Sequence, residues 1–324
     1  MKKLYILQVG EDMNFLKTAL LASAAFCALS ISTGASAAEV KKIGLAVPNL
    51  QADFFNQIKF SVEGYAGKLG IEVIVVDAEN DTATQVSQVQ DLITQGIDAL
   101  IYIPAGPEAA VPTRLARAIG IPVINVDREP DGEPGDTVIY GENVLSAYQV
   151  CDHIIKKAGS KGKMVVIHGQ KGTTPEVQRF HGCKRAIDEN SGVELVAQQW
   201  SKHWSPDEGF QIAQNMLQSN PDVTIIFGQA DGLAMGAAKA VQRAGLADKV
   251  IVGGYDGDGA ALESLVKCDT PFIVTATQST QAMGVLAVNS AIAVSHGASV
   301  PARQILNAVL TKCADAAKFV EKHP

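Results

Sequence analysis

Along the chain, apolar runs of strand length alternate with longer stretches in which apolar residues recur every three or four positions. The runs read as strands buried on both faces, the periodic stretches as helices packed on one face. Strands are expected at 42–47, 71–77, 98–103, 121–127 and 137–141, then at 163–168, 193–198, 222–227, 249–255, 271–277 and 305–310. Helices are expected between them. In the first, Phe55, Ile58, Val62, Ala66 and Leu69 fall at helical spacing and Gly70 stops it. The others cover 82–95, 107–119, 143–158, 175–189, 207–218, 231–244, 259–266 and 282–296. Alternating strands and helices imply parallel sheets. This many units exceed one open sheet of ordinary size. The pattern therefore predicts an α/β chain of two doubly wound halves that meet near Tyr140 to Asn143, with no Gly- or Ser-rich linker.

Composition narrows the function. The 324 residues are 47% hydrophobic and 19% charged, in keeping with a packed α/β protein. A formal charge of −7 is a poor footprint for a nucleic-acid binder. The start reads as an export signal: Lys17 leads into the apolar run 19–31, and Ala35-Ser36-Ala37 fits a small-residue cleavage pattern. Residues 1–38 are thus expected to be a signal peptide. Glu11 and Asp12 are out of place in such a leader, and Met13 offers an alternative start. Loss of the leader takes three bases and two acids and brings the formal charge to −8. Cys27 follows Phe26 rather than a small residue, which argues against a lipid anchor.

Polar and aromatic groups recur where the inferred strands end: Phe54, the pair Asp127-Arg128, Gln229 with Asp231, Asp256 and Gln278. In an open α/β sheet the ligand crevice lies beyond the carboxyl ends of the strands. Carboxylates, amides and a guanidinium beside aromatic faces suit a neutral polyhydroxylated ligand, whose hydroxyls need donors and acceptors and whose ring stacks. Each residue has an ordinary alternative. Asp127-Arg128 reads equally as a surface ion pair, Asp231 as a helix cap and Asp256 as a turn residue. Nucleotide, phosphate-loop and hydrolase motifs are absent. The segment 169–174 has the composition of a phosphate loop without its spacing, and the six His are scattered. No cofactor or metal is expected.

Four stretches carry a resemblance: Asp53-Phe54-Phe55 before a helix, Ile121 to Arg128, Phe227 to Ala237, and Val252 to Gly257. Through them the chain resembles the type I periplasmic sugar-binding proteins, the ribose-binding group in particular, over nearly all of residues 42–310. The resemblance implies two lobes joined by a three-strand hinge: 39–141 with 279–307, and 142–278 with 308–324. It implies sugar held between them by Phe54, Phe55, Asp127, Arg128, Trp204, Asp256 and Gln278, with Asp231 beside them. Ala52 and Ala230 stand where the family has Asn, and Val177 where it has a binding Arg. These departures remove donors and free volume, which Trp204 partly refills, and they widen the expected ligand from ribose to another pentose, a hexose or a sugar alcohol.

The implied protein is a periplasmic, monomeric receptor that delivers its ligand to an ABC permease, with a chemoreceptor as a further partner. A sugar-modifying enzyme using a cleft carboxylate such as Asp256 as base is the competing expectation. A sugar-responsive regulator is disfavoured, because the signal segment stands where such proteins carry a helix-turn-helix. Four cysteines remain after the leader; from the residues alone, two disulfides and four free thiols are equally open. The family's strand order implies Cys268–Cys313 at one outer edge, and Cys151–Cys183 between neighbouring helices.

Overall fold

A computed structural model describes residues 39–320 of the chain. The proposed signal peptide lies outside the described residues. Two six-stranded sheets organise the rest. The first holds β1 (Lys42–Val47), β2 (Glu72–Asp77), β3 (Ala99–Tyr102), β4 (Val123–Val126), β5 (Thr137–Gly141) and, late in the chain, β11 (Arg303–Leu306). Its order is β11-β5-β4-β3-β1-β2, and every pairing is parallel. The second holds β6 (Gly162–His168), β7 (Val193–Trp200), β8 (Val223–Gly228), β9 (Ile251–Gly253), β10 (Phe272–Thr277) and β12 (Val309–Lys312), in the order β12-β10-β9-β8-β6-β7. Only β12 runs antiparallel to its neighbour.

Helices cover both faces of each sheet, and this accounts for the continuous apolar runs. In β1, Ile43, Leu45 and Val47 enter one core, while Ala46 faces another. In β6, Val165 and Ile167 point to one side, Met164 and Val166 to the other. The first sheet packs against α1 (Asp53–Lys68), α2 (Thr82–Thr94), α3 (Val111–Ala118) and α9 (Thr280–Ser295). The second packs against α4 (Asn143–Lys157), α5 (Thr174–Asp188), α6 (Pro206–Ser219), α7 (Asp231–Arg243) and α8 (Gly259–Lys267). A short α10 (Ala317–Val320) follows. Local signals set the ends: Asp81 caps α2 by accepting from Thr84 N–H at 2.6 Å, and Ser205 caps α6.

Two expectations are corrected. The stretch 305–310, read as one strand, is two strands in different sheets, because the chain crosses between them at Asn307-Ala308. The helix expected from Pro107 starts at Val111. Before it, backbone carbonyls have partners outside any helix: Ala109 O accepts from the Tyr102 hydroxyl and Pro107 O from Asp131 N–H.

The chain passes between the two sheets three times: after β5, after β10 and between β11 and β12. Both disulfides lie in the second half. Cys151 of α4 is bonded to Cys183 of α5, with Cα atoms 5.2 Å apart. Gly182 permits that approach, since a Cβ there would strike the carbonyl of Val144. Cys268, just after α8, is bonded to Cys313, just after β12, with Cα atoms 5.5 Å apart.

Candidate functional site

The carboxyl ends of the two sheets face one cavity of about 160 Å³. This is below the roughly 300–1,000 Å³ of pockets for drug-sized molecules and suits a single ring. Phe54, Phe55, Asp127, Arg128, Trp204, Asp231 and Asp256 all line it. The first half supplies Phe54 and Phe55 from the start of α1, with ring centroids 5.6 Å apart and edge to face. It also supplies Asp127 and Arg128, immediately beyond β4. Arg128 is 2% exposed and donates from Nε to Asp127 Oδ2 at 3.1 Å. Burial lowers the pKa of its guanidinium, and Asp127 opposes that shift. Its planar head lies 5.3 Å from the Phe55 ring centroid and 5.7 Å from that of Trp204.

The second half supplies Trp204, Asp231, Asp256 and an arginine that the sequence reading missed. Val177, expected in the place of a binding Arg, is an exposed residue of α5. Arg179, two residues on, is buried in the cavity wall. The site therefore keeps its second guanidinium, and the expected loss of a donor at Val177 is corrected. Arg179 donates from Nε to Asn143 Oδ1 at 3.0 Å and from Nη1 to Gln229 O at 2.6 Å, and pairs with Asp256 Oδ1 at 3.0 Å. It also stacks 3.9 Å over the Tyr255 ring. Those bonds occupy Nε and Nη1; of the five guanidinium N–H groups, the two on Nη2 remain for a ligand. Burial pushes the Asp256 carboxyl up, to about 7, against the pull of Arg179.

Asp231 caps nothing: Ala230 occupies the cap position of α7, and Asp231 Oδ2 accepts from Gly257 and Asp258 N–H at 2.8 and 2.9 Å. Burial and the neighbouring Asp256 hold its pKa well above the carboxylate range. Gln278 differs from expectation. It sits outside the cavity wall and donates from Nε2 to Asp256 Oδ1 at 2.9 Å, so it positions Asp256. Gln229 likewise works from behind, accepting from Gly169 N–H and donating to Glu176 O.

Asp127, Trp204 and Asp256 have φ of 64°, 59° and 115°. Such backbone costs of order 1–3 kcal/mol per residue and collects at functional sites. The Trp204 ring lies over Gly169, where any Cβ would overlap it, and its indole N–H is buried with no protein acceptor. The loop 169–174, which looked faintly like a phosphate loop, spans the two halves. Gln170 accepts from Arg128 Nη1 at 3.1 Å and donates to Ala105 O at 2.8 Å.

The arrangement offers guanidinium donors, carboxylate acceptors and two aromatic faces around a ring-sized space. A model of the periplasmic binding protein domain matches residues 43–299. The chain belongs to the periplasmic binding protein family. This is a family of binding proteins rather than enzymes. The chain is 34% identical over 296 residues to the ribose import binding protein of Salmonella typhimurium, spanning 90% of this chain and 96% of that one. Among solved structures, an ABC transporter solute-binding protein from Bacillus halodurans with bound myo-inositol superposes with a TM-score of 0.80 at 26% identity, over 88% of this chain and 98% of that one. One from Actinobacillus succinogenes with bound D-allose gives 0.80 at 26%, over 86% and 100%.

Proposed function

We propose that the chain is exported by cleavage after the leader 1–38 and works as a monomeric receptor. It captures a monosaccharide or sugar alcohol between two lobes, 39–141 with 279–307 and 142–278 with 308–324, and delivers it to an ABC permease. Phe54, Phe55, Asp127, Arg128, Arg179, Trp204, Asp231 and Asp256 hold the ligand, and Gln278 braces Asp256. A chemoreceptor would read the same closed form. The observation that carries this reading is the cavity itself: Arg128 from one half and Arg179 from the other flank Trp204, at 5.7 and 5.8 Å from its ring. The lobes would open and close about the three crossings, a motion known in proteins of this class.

The relatives named above support a polyhydroxylated ligand, since ribose, myo-inositol and D-allose share a compact ring of hydroxyls. A thermal-shift screen over pentoses, hexoses and polyols tests the proposal, because a ligand that binds only the folded state raises the melting temperature. A raised melting temperature with one or a few such compounds is expected. No response to any of them would refute the reading.

A further inference from the structure

The loop 169–174 belongs to the second half, yet it is seated on the first. Gln170 accepts through Oε1 from Arg128 Nη1 at 3.1 Å and donates from Nε2 to Ala105 O at 2.8 Å. Gly172 lies against Pro107, whose ring a Cβ there would meet at 3.3 Å. The base of the loop is fixed in the second half. Gly172 N–H donates to Glu176 Oε2 at 3.0 Å. Glu176 Oε1 in turn lies 2.8 Å from His168 Nδ1 and accepts from the Trp200 indole at 3.1 Å. Thr173 Oγ1 donates to Gln170 O at 2.8 Å and closes the turn. The loop starts at Gly169, under the Trp204 ring.

A carboxamide at 170 fits both of its partners. Arg128 only donates and the Ala105 carbonyl only accepts, so one side chain that answers both must carry an acceptor beside a donor. Arg128 is thereby held from two sides. Asp127 of its own half takes Nε, and Gln170 of the other half takes an Nη1 N–H. Its Nη2 N–H groups remain for a ligand, aimed by those two bonds. If the halves part, Gln170 loses both partners and Arg128 loses one.

We propose, on the basis of the sugar or polyol reading above, that Gln170 is a latch residue. It fastens the second half to the first over a bound ligand, sets the Arg128 guanidinium toward that ligand, and slows release. Gln170 does so from outside the cavity wall, so it is a positioning residue and not a ligand contact. Ligand enters while the halves are apart, when neither bond exists. The latch therefore acts on dissociation and leaves association alone.

The test is stopped-flow tryptophan fluorescence of the purified protein with D-ribose, D-allose, myo-inositol and any other compound that raises its melting temperature. Gln170→Ala should release the bound compound about tenfold or more faster, the scale of one hydrogen bond to a charged group. Its association rate should be little changed, as is usual among variants of one interface. Gln170→Glu keeps an acceptor for Arg128 but sets a carboxylate against the Ala105 carbonyl, and it should also release faster. The melting temperature without sugar should stay near that of the wild type in both variants, because the anchors of the loop at Glu176 and Thr173 do not use the Gln170 side chain. A release rate unmoved in Gln170→Ala, a loss of affinity that lies in association, or a wild-type release rate in Gln170→Glu would refute the latch while the sugar reading stands. If no pentose, hexose or polyol binds, the sugar reading fails and the latch with it.

Discussion

In the first sheet the sixth strand, β11, runs parallel to β5; in the second, β12 runs antiparallel to β10. Both strands belong to one pass of the chain, residues 303–312, which leaves the first sheet and enters the second without turning back. The first half is completed from a distance. Met283, Ala287, Val288 and Ala291 of α9 fill the core built by Ile43, Leu45 and Ile101. The second half is continuous apart from that last strand, and it carries both disulfides. It also carries Arg179, Asp231, Asp256 and Asp258, the denser part of the cavity's charge. The comparison teaches that the half holding the more costly buried charges is also the half that is stapled. Cross-links that limit the unfolded chain offset part of that burial.

Four changes would break or sharpen this contrast, from the largest effect to the smallest. Arg179→Ala leaves Asp256 buried without its cation. Losing one member of such a pair costs about 3–5 kcal/mol, and urea unfolding of the ligand-free protein should read that loss. Arg128→Ala, in the first half, is expected to act on affinity instead. Truncating one side of a buried charged hydrogen bond costs ~2–5 kcal/mol, so a titration of the folded variant should show binding weakened by well over an order of magnitude. Unchanged affinity would remove Arg128 from the site.

The disulfides come next. Replacing both Cys151 and Cys183 by Ala should lower the unfolding free energy by roughly 2–4 kcal/mol. The smallest effect is one of pH. Asp231, Asp256 and Asp258 all have folded-state pKa values raised by burial. The folded protein therefore keeps protons that the unfolded chain loses above about pH 4, and this contribution to stability declines as pH rises through the raised values. His153, whose pKa burial lowers, acts in the opposite sense just below neutrality, so the comparison is best made against a variant. Asp258→Asn should match the wild type near pH 4 within its own small offset and gain on it as pH rises above that, by at most ~1.4 kcal/mol per unit. Parallel melting-temperature profiles of the two proteins would show that Asp258 does not titrate in this range.

Much of the fold was legible because strands covered on both faces leave unbroken apolar runs, as in Ala99 to Tyr102 and Val123 to Val126. The crossing at Asn307-Ala308 was not, since a strand that changes sheets keeps its extended pattern throughout. Seven of the eight expected site residues line the cavity; the eighth, Gln278, touches it through Asp256. Arg179 was missed because a match by sequence position slipped by two residues to Val177. Helical spacing held the missing signal: Arg179 lies four residues before Cys183, on the buried face of α5 with Glu176 and Gly182. Asp258 was legible only as the second acid of Asp256-Gly257-Asp258, because nothing in a sequence shows that one oxygen of an acid, Asp258 Oδ1, is buried without a partner.

The central claim is that ligand lies between the halves against Trp204. The chain has two tryptophans, and they sit in different surroundings. Trp204 lines the cavity, while Trp200 is half-exposed, stacks on His168 and donates to Glu176. Fluorescence titration with a ligand found in the screen separates them. A saturable emission change should persist in Trp200→Phe and vanish in Trp204→Phe. A change that survives in Trp204→Phe and is lost in Trp200→Phe would contradict the account, because it would put the ligand outside the cavity between the two sheets.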